Sequence, residues 1–288
     1  MEIPFADRLR KAVTAAGCAC VVGLDPRPER LPVELARHPE GVLAGIDAFH
    51  RFLLQEAAGR IPCVKPQVAF FEALGAGGYE LFLRTCRQAA ELGFLVIGDV
   101  KRGDIGSTAR AYAQAHFAQC DALTVNPYLG SDGVEPFLSW CREKGKGIFV
   151  LVRTSNPGNE FQPLALAGGG TLAEAVARAV ADWNEGMPGD RPGDYGPVGA
   201  VVGATRPEEI PLFRRLLRRS WLLLPGYGAQ GATAADLREA FDGEGRGALV
   251  NSSRGITACF DPADPAWKDK VRGAIDSFHR EIAAIQEA

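Results

Sequence analysis

Eight short apolar runs recur along the 288-residue chain, separated by stretches of helical pattern, and this alternation constrains the fold more than any other feature. The runs are Cys18–Leu24, Cys63–Phe70, Leu95–Val100, Ala122–Val125, Ile148–Val152, Val198–Val202, Trp221–Leu224 and Ala248–Val250. Between them lie segments such as Val42–Gly59, Tyr79–Gly93, Ser107–Gln119, Leu172–Asn184 and Pro207–Leu217. Strands covered by helices on both faces read as near-continuous apolar runs rather than as alternation. Alternating β and α elements imply a parallel sheet. Eight such units in one chain of this length predict a single (β/α)8 TIM barrel over residues 1–288, with an added N-terminal helix, Pro4–Ala16, and C-terminal helix, Pro265–Gln286.

Composition narrows the function classes. Hydrophobic residues make up 47% and charged residues 23%, which argues against disorder and fibrous repeats. Thirty-two basic and 35 acidic side chains leave a formal charge of −3, which gives no footprint for nucleic acid or an anionic membrane surface. No apolar run approaches the roughly 18 residues of a membrane span. The stretch Arg8–Leu24 mimics a signal peptide, but Thr14 and Gly17 break it, and Glu2 and Asp7 precede it. It reads as a helix end followed by the first strand. Seven scattered cysteines contain no CxxC pair, so a reducing cytoplasm is expected, without disulfides or a structural zinc site. His38, His50, His116 and His279 fall in helical or helix-flanking segments with no ligand spacing, and no metal is expected.

The informative residues stand where the apolar runs stop. The first run ends in Asp25, the second carries Lys65, the third gives Asp99 and Lys101, and the fourth Asn126. The fifth gives Thr154 and Ser155, and the last Asn251 to Arg254. In a barrel these C-terminal strand ends converge on one face. Several charged groups there are costly to bury unless they share a site. Asp99 and Lys101 are two apart on one strand and so point to the same side, where the carboxylate can hold the ammonium and tune its proton affinity. Asp104 lies past the strand end and cannot easily face the same way. Spacing alone equally allows a structural salt bridge with a solvated turn acid. Lys65 precedes Pro66, which favours an extended backbone, and it reads as part of the same charge array.

Leu222 to Gly231 contains GxGxxG after a strand. The dinucleotide reading fails, because the next strand ends in Asn251-Ser-Ser-Arg254 and one helix is expected after it. In a barrel the loops after strands seven and eight form a phosphate site. Gly226 and Gly228 admit backbone amides there, and Arg254 supplies a bidentate cation. Two polar loops remain: Asn156–Gly170 follows a strand, where lids occur, and Gly186–Pro197 precedes one and reads as structural.

Together these residues resemble the orotidine 5′-phosphate decarboxylases, in their longer bacterial subfamily. The resemblance rests on Asp99-x-Lys101-x-x-Asp104-Ile105, Val22-Gly-Leu-Asp-Pro-Arg27, Val64-Lys-Pro-Gln67 and Ala69-Phe-Phe-Glu72. It also rests on Thr124-Val-Asn-Pro-Tyr128, Arg153-Thr-Ser-Asn-Pro-Gly158, the Gly-Ala-Gln turn and Val250-Asn-Ser-Ser-Arg254. The DxKxxD element alone is shared with sugar-phosphate relatives; the full set is more specific and runs from the first strand to the eighth.

The resemblance implies decarboxylation of orotidine 5′-monophosphate to uridine 5′-monophosphate without a cofactor. Lys101 would protonate the ring carbon that loses CO2, Asp99 would flank the substrate carboxylate and hold Lys101, and Lys65 would contact the ribose. Asp25 would bind a ribose hydroxyl and Ser155 the pyrimidine amide edge. Gln230 would bridge ring and phosphate, and Gly228 and Arg254 would hold the phosphate. Asp104, with Ile105 and Thr108, would reach the other subunit's site in a homodimer. Gln67 and Asn126 are further site candidates without a role. Two rival readings are a metal-dependent sugar-phosphate decarboxylase or aldolase and a non-catalytic binder of a phosphorylated ligand.

Overall fold

The computed structural model describes residues 2–188, 194–228 and 233–287. Its centre is a closed barrel of eight parallel strands in sequential order. They are β1 (Cys20–Leu24), β2 (Cys63–Pro66), β3 (Leu95–Arg102), β4 (Ala122–Val125), β5 (Gly147–Arg153), β6 (Gly196–Val202), β7 (Ser220–Pro225) and β8 (Ala248–Ser252). β1 pairs with β2 on one side and β8 on the other, so no strand edge is left open. Every residue of β1, β4, β6 and β8 is buried, which is why these strands carry apolar runs without alternation.

The helices are α1 (Phe5–Ala16), α2 (Val33–Ala36), α3 (Val42–Ala57), α4 (Val68–Glu72), α5 (Ala76–Glu91), α6 (Gly106–Phe117) and α7 (Ser131–Lys144). α8 (Leu172–Trp183), α9 (Ile210–Leu216), α10 (Arg254–Thr257) and α11 (Trp267–Glu287) complete the set. α1 packs at the start of β5: Phe5 meets Phe149 edge-on at 6.1 Å, and a Cβ on Gly147 would lie 2.1 Å from the Phe5 ring. α11 buries Val271, Ile275, Phe278 and Ile282, a stripe at helical spacing, and lies against β1.

Two sequence expectations are corrected. The second apolar run is not one strand to Phe70: β2 stops at Pro66, and Val68 begins α4. The Gln67 side chain accepts the Ala69 amide at 3.3 Å and caps that helix, and a buried helical turn is as apolar as a buried strand. Two helices, not one, follow β8, because α10 starts immediately after Ser253. The connection from β7 to β8 carries only a 3-10 segment, Ala235–Ala240, among the described residues.

Asn184 fastens the outer layer to the sheet. It is 2% exposed; its amide donates to Val198 O at 2.7 Å and Ser220 Oγ at 2.8 Å, and its Oδ1 accepts the Val198 amide at 2.9 Å. Asn184→Leu keeps the volume and leaves buried backbone groups unpaired. We predict a loss of about 2–3 kcal/mol in urea unfolding, with the barrel retained by circular dichroism.

Candidate active site

Lys65, Asp99 and Lys101 meet at the C-terminal end of the barrel. Lys65 Nζ lies 2.6 Å from Asp99 Oδ2, and Lys101 Nζ lies 2.5 Å from Asp99 Oδ1. Lys65 and Asp99 are both 6% exposed, whereas the Lys101 side chain keeps 47% of its surface. One carboxylate therefore bridges a buried ammonium and an accessible one.

A fourth residue, Thr124 on β4, completes the array. Its hydroxyl donates to Asp99 Oδ1 at 3.0 Å and accepts the backbone N–H of Lys101 at 2.9 Å. A hydroxyl can do both at once. That second bond matters because Lys101 is held at φ 43°, the one positive φ outside glycine among the described residues. Such a backbone persists only where its surroundings hold it. The strain sits in a bulge: Gly98 pairs with Leu123 but Arg102 with Val125, so β3 spends two extra residues. Simple two-residue alternation is thus not what brings Lys101 to Asp99; a bulged backbone pinned by Thr124 does. Along the chain Thr124 opens the Thr124–Tyr128 stretch that carries part of the resemblance, but no role attached to its hydroxyl.

Burial opposes ionisation of Asp99, but the charges of Lys65 and Lys101 outweigh it and hold the carboxyl well below its usual range. Burial likewise opposes the Lys65 charge, and Asp99 and Asp25 overcome it, so its pKa is raised. Asp99 and Lys65 are thus both ionised at neutral pH.

The array lines a cavity of about 460 Å3 whose wall is formed by Ser155, Asn156 and Phe161 among others. Lys65 and Pro225 also line a neighbouring cavity of about 170 Å3, with Asp25, Gly226, Asn251 and Arg254. Asp25 Oδ1 and Asn251 Oδ1 are buried acceptors with no hydrogen-bond partner among the described residues. Arg254 is exposed, and among the described residues it has no acidic partner. Gly228, at φ 69°, lies beside Arg254.

The loop Asn156–Gly170 is anchored as the pocket wall. Asn159 donates to Thr154 O at 2.7 Å; Gln162 accepts the Thr154 amide at 2.9 Å and donates to Thr154 Oγ1 at 2.8 Å. Beneath it Arg153, 3% exposed, pairs twice with Glu209 at 2.6 and 3.0 Å. Asn159 and Gln162 lie in a polar stretch with no motif to mark them.

Other sequence candidates fall outside this cluster. Asp104 Oδ1 accepts the Ile105 amide at 2.8 Å within its own turn, and Ile105 and Thr108 are exposed. Gln67 caps α4, and Asn126 Oδ1 accepts the Tyr128 amide at 3.0 Å, a turn role. Gln230 lies outside the described residues. Among the described residues no group of three or more His, Cys, Asp and Glu is placed to hold a metal ion.

Residues 21–268 match the orotidine 5′-phosphate decarboxylase / HUMPS family. The chain is 42% identical to an orotidine 5′-phosphate decarboxylase of Rhodopirellula baltica, covering 96% of this chain and 98% of that one. It is 44% identical to one from Deinococcus radiodurans, covering 96% and 99%. The structure of an OMP decarboxylase from Leishmania donovani superposes with a TM-score of 0.79 at 32% identity, covering 99% of this chain and 100% of that one.

Asp99 ties its neighbours' stability to pH. With its pKa depressed, its contribution is present above the ordinary carboxylate range and is lost only as pH falls through the lower native value. Asp99→Asn leaves Lys65 buried without its partner. We predict a loss of about 3–5 kcal/mol at neutral pH. The deficit should shrink towards about pH 9.5, because an unpaired buried ammonium sheds its proton more easily. Denaturant unfolding of parent and variant at both pH values measures this.

Proposed function

The chain belongs to the orotidine 5′-phosphate decarboxylase family, and on that premise we propose how its residues carry out the family reaction. It is an enzyme that converts orotidine 5′-monophosphate to uridine 5′-monophosphate and CO2, the last step of UMP biosynthesis. Relatives matched over nearly their whole length favour this over the metal-dependent sugar-phosphate reactions.

The observation that carries the mechanism is the Lys65–Asp99–Lys101 bridge beside a cavity of about 460 Å3. Cleavage of the bond between ring carbon and carboxyl carbon releases CO2 and leaves the electron pair on the ring. The Lys101 ammonium lies next to that carbon and gains attraction only as the charge develops, which lowers the barrier rather than tightening ground-state binding. Lys101 then gives its proton to the carbon, and its half-exposed ammonium is restored from solvent. Asp99 keeps Lys101 in place and sits against the substrate carboxylate, which disfavours the bound ground state.

Ser155 reads the pyrimidine amide edge. Asp25 and Lys65 take the ribose hydroxyls, and Gly228 and Arg254 hold the phosphate, with Gln230 bridging ring and phosphate. These distant contacts supply binding energy for orientation. The active unit is a homodimer in which Asp104, Ile105 and Thr108 of one protomer complete the site of the other. Support comes from the exposure of Ile105 (54%), Tyr128 (86%) and Leu129 (50%) beside Asp104, which among the described residues pairs with no lysine of its own chain. The enzyme acts in the cytoplasm; seven free cysteines, six of them buried, suit a reducing compartment. No helix among the described residues is long and apolar enough to cross a membrane.

Lys101→Ala should abolish loss of orotate absorbance while binding uridine 5′-monophosphate nearly as well as the parent. Near-normal turnover would sink the mechanism. Mixing inactive Lys101→Ala and Asp104→Ala proteins should restore about a quarter of parental activity. Half of randomly re-formed dimers are then mixed, and each has one complete site of two. A mixture that stays inactive after subunit exchange would contradict the shared site.

A further inference from the structure

A third and larger cavity, about 490 Å3, lies on the other side of Asp25 and Arg254 from the ribose and phosphate pocket. Those two residues line both cavities, so the two are neighbours across a shared wall. The charged lining is three guanidinium groups, Arg27, Arg30 and Arg254, against one carboxylate, Asp25. His50 also lines it, but burial pushes its pKa down to about 4, so it adds no charge at neutral pH. A chain with a formal charge of −3 thus concentrates positive charge in one recess.

The arginines are not consumed by the fold. Among the described residues the buried Arg27 Nε has no hydrogen-bond partner, and none of the three arginines makes an ion pair. The Arg27 guanidinium lies over the Phe70 ring at 4.6 Å, which fixes its plane without satisfying its donors. Guanidinium groups that line a cavity without an acidic partner suit phosphoryl oxygens, whose geometry matches their fork of donors.

We propose that this cavity is a second anion subsite, which takes the distal phosphates of a pyrimidine nucleoside 5′-di- or triphosphate whose first phosphate sits at Arg254. The inference rests on the assignment of Arg254 to the nucleotide phosphate. It makes the enzyme responsive to polyphosphorylated forms of its own product: they compete with substrate for the base and ribose pockets and gain contacts that the monophosphate lacks.

Inhibition of orotidine 5′-monophosphate turnover by uridine 5′-mono-, di- and triphosphate, in chelator, tests it. The triphosphate should inhibit about tenfold more tightly than the monophosphate, as expected for one or two added charge-assisted contacts. That margin should shrink with added salt. In the Arg27→Gln, Arg30→Gln double variant the margin should vanish, with turnover and monophosphate inhibition unchanged. A triphosphate no better than the monophosphate would overturn the proposal, as would a margin that survives in the double variant. Inhibition by inorganic pyrophosphate through Arg27 and Arg30, without any gain for the triphosphate, would make this a free-anion site and overturn the nucleotide assignment. Failure of the monophosphate itself to compete would instead overturn the Arg254 assignment on which the inference stands.

Discussion

Asp99 is the constraint on which the rest of the site depends. A carboxylate buried at the end of β3 cannot stay ionised without cations, and the two lysines cannot be held at one point without it. Lys65 comes from β2 and Lys101 from the bulge of β3, while Thr124 on β4 bonds both the carboxylate and the strained Lys101 backbone. Three adjacent strands are thereby locked together at the end where chemistry occurs. The closed barrel makes this possible, because strand order fixes the neighbours of β3 and leaves no edge along which the register could slip.

The same arrangement divides labour between buried and accessible charge. Lys65 is sealed and serves as a fixed counter-charge, whereas Lys101 retains contact with solvent. The proton-donor role proposed for Lys101 needs that access, because such an ammonium is recharged at every turnover. A pre-placed ammonium also costs no reorganisation when negative charge develops, which is where a cofactor-free decarboxylation gains most of its rate. The cavity proposed for ribose and phosphate adjoins the one at Lys101, and Lys65 and Pro225 line both.

Much of this was legible in the chain itself. Strands buried on both faces have to be apolar, so all eight showed as runs, and polar residues at their ends marked the rim where Lys65, Asp99 and Lys101 meet. Lys65, Asp99 and Lys101 stood out because a charge inside such a run is costly to bury unless a shared site holds it. Other parts left no local trace. Val68–Phe71 is apolar whether helix or strand, and only the Gln67 cap decides for α4. The bulge and the positive φ of Lys101 arise from pairing with β4, a contact remote in sequence. Asn159 and Gln162 act by reaching back to Thr154, and nothing in a polar loop separates such anchors from surface residues.

The absorbance of orotidine 5′-monophosphate mixed with purified protein and a metal chelator tests the cofactor-free decarboxylation most directly. Rapid loss of the orotate chromophore and stoichiometric uridine 5′-monophosphate are the expected result. A flat trace from folded protein, with turnover appearing only on a sugar-phosphate substrate and a divalent metal, would contradict it.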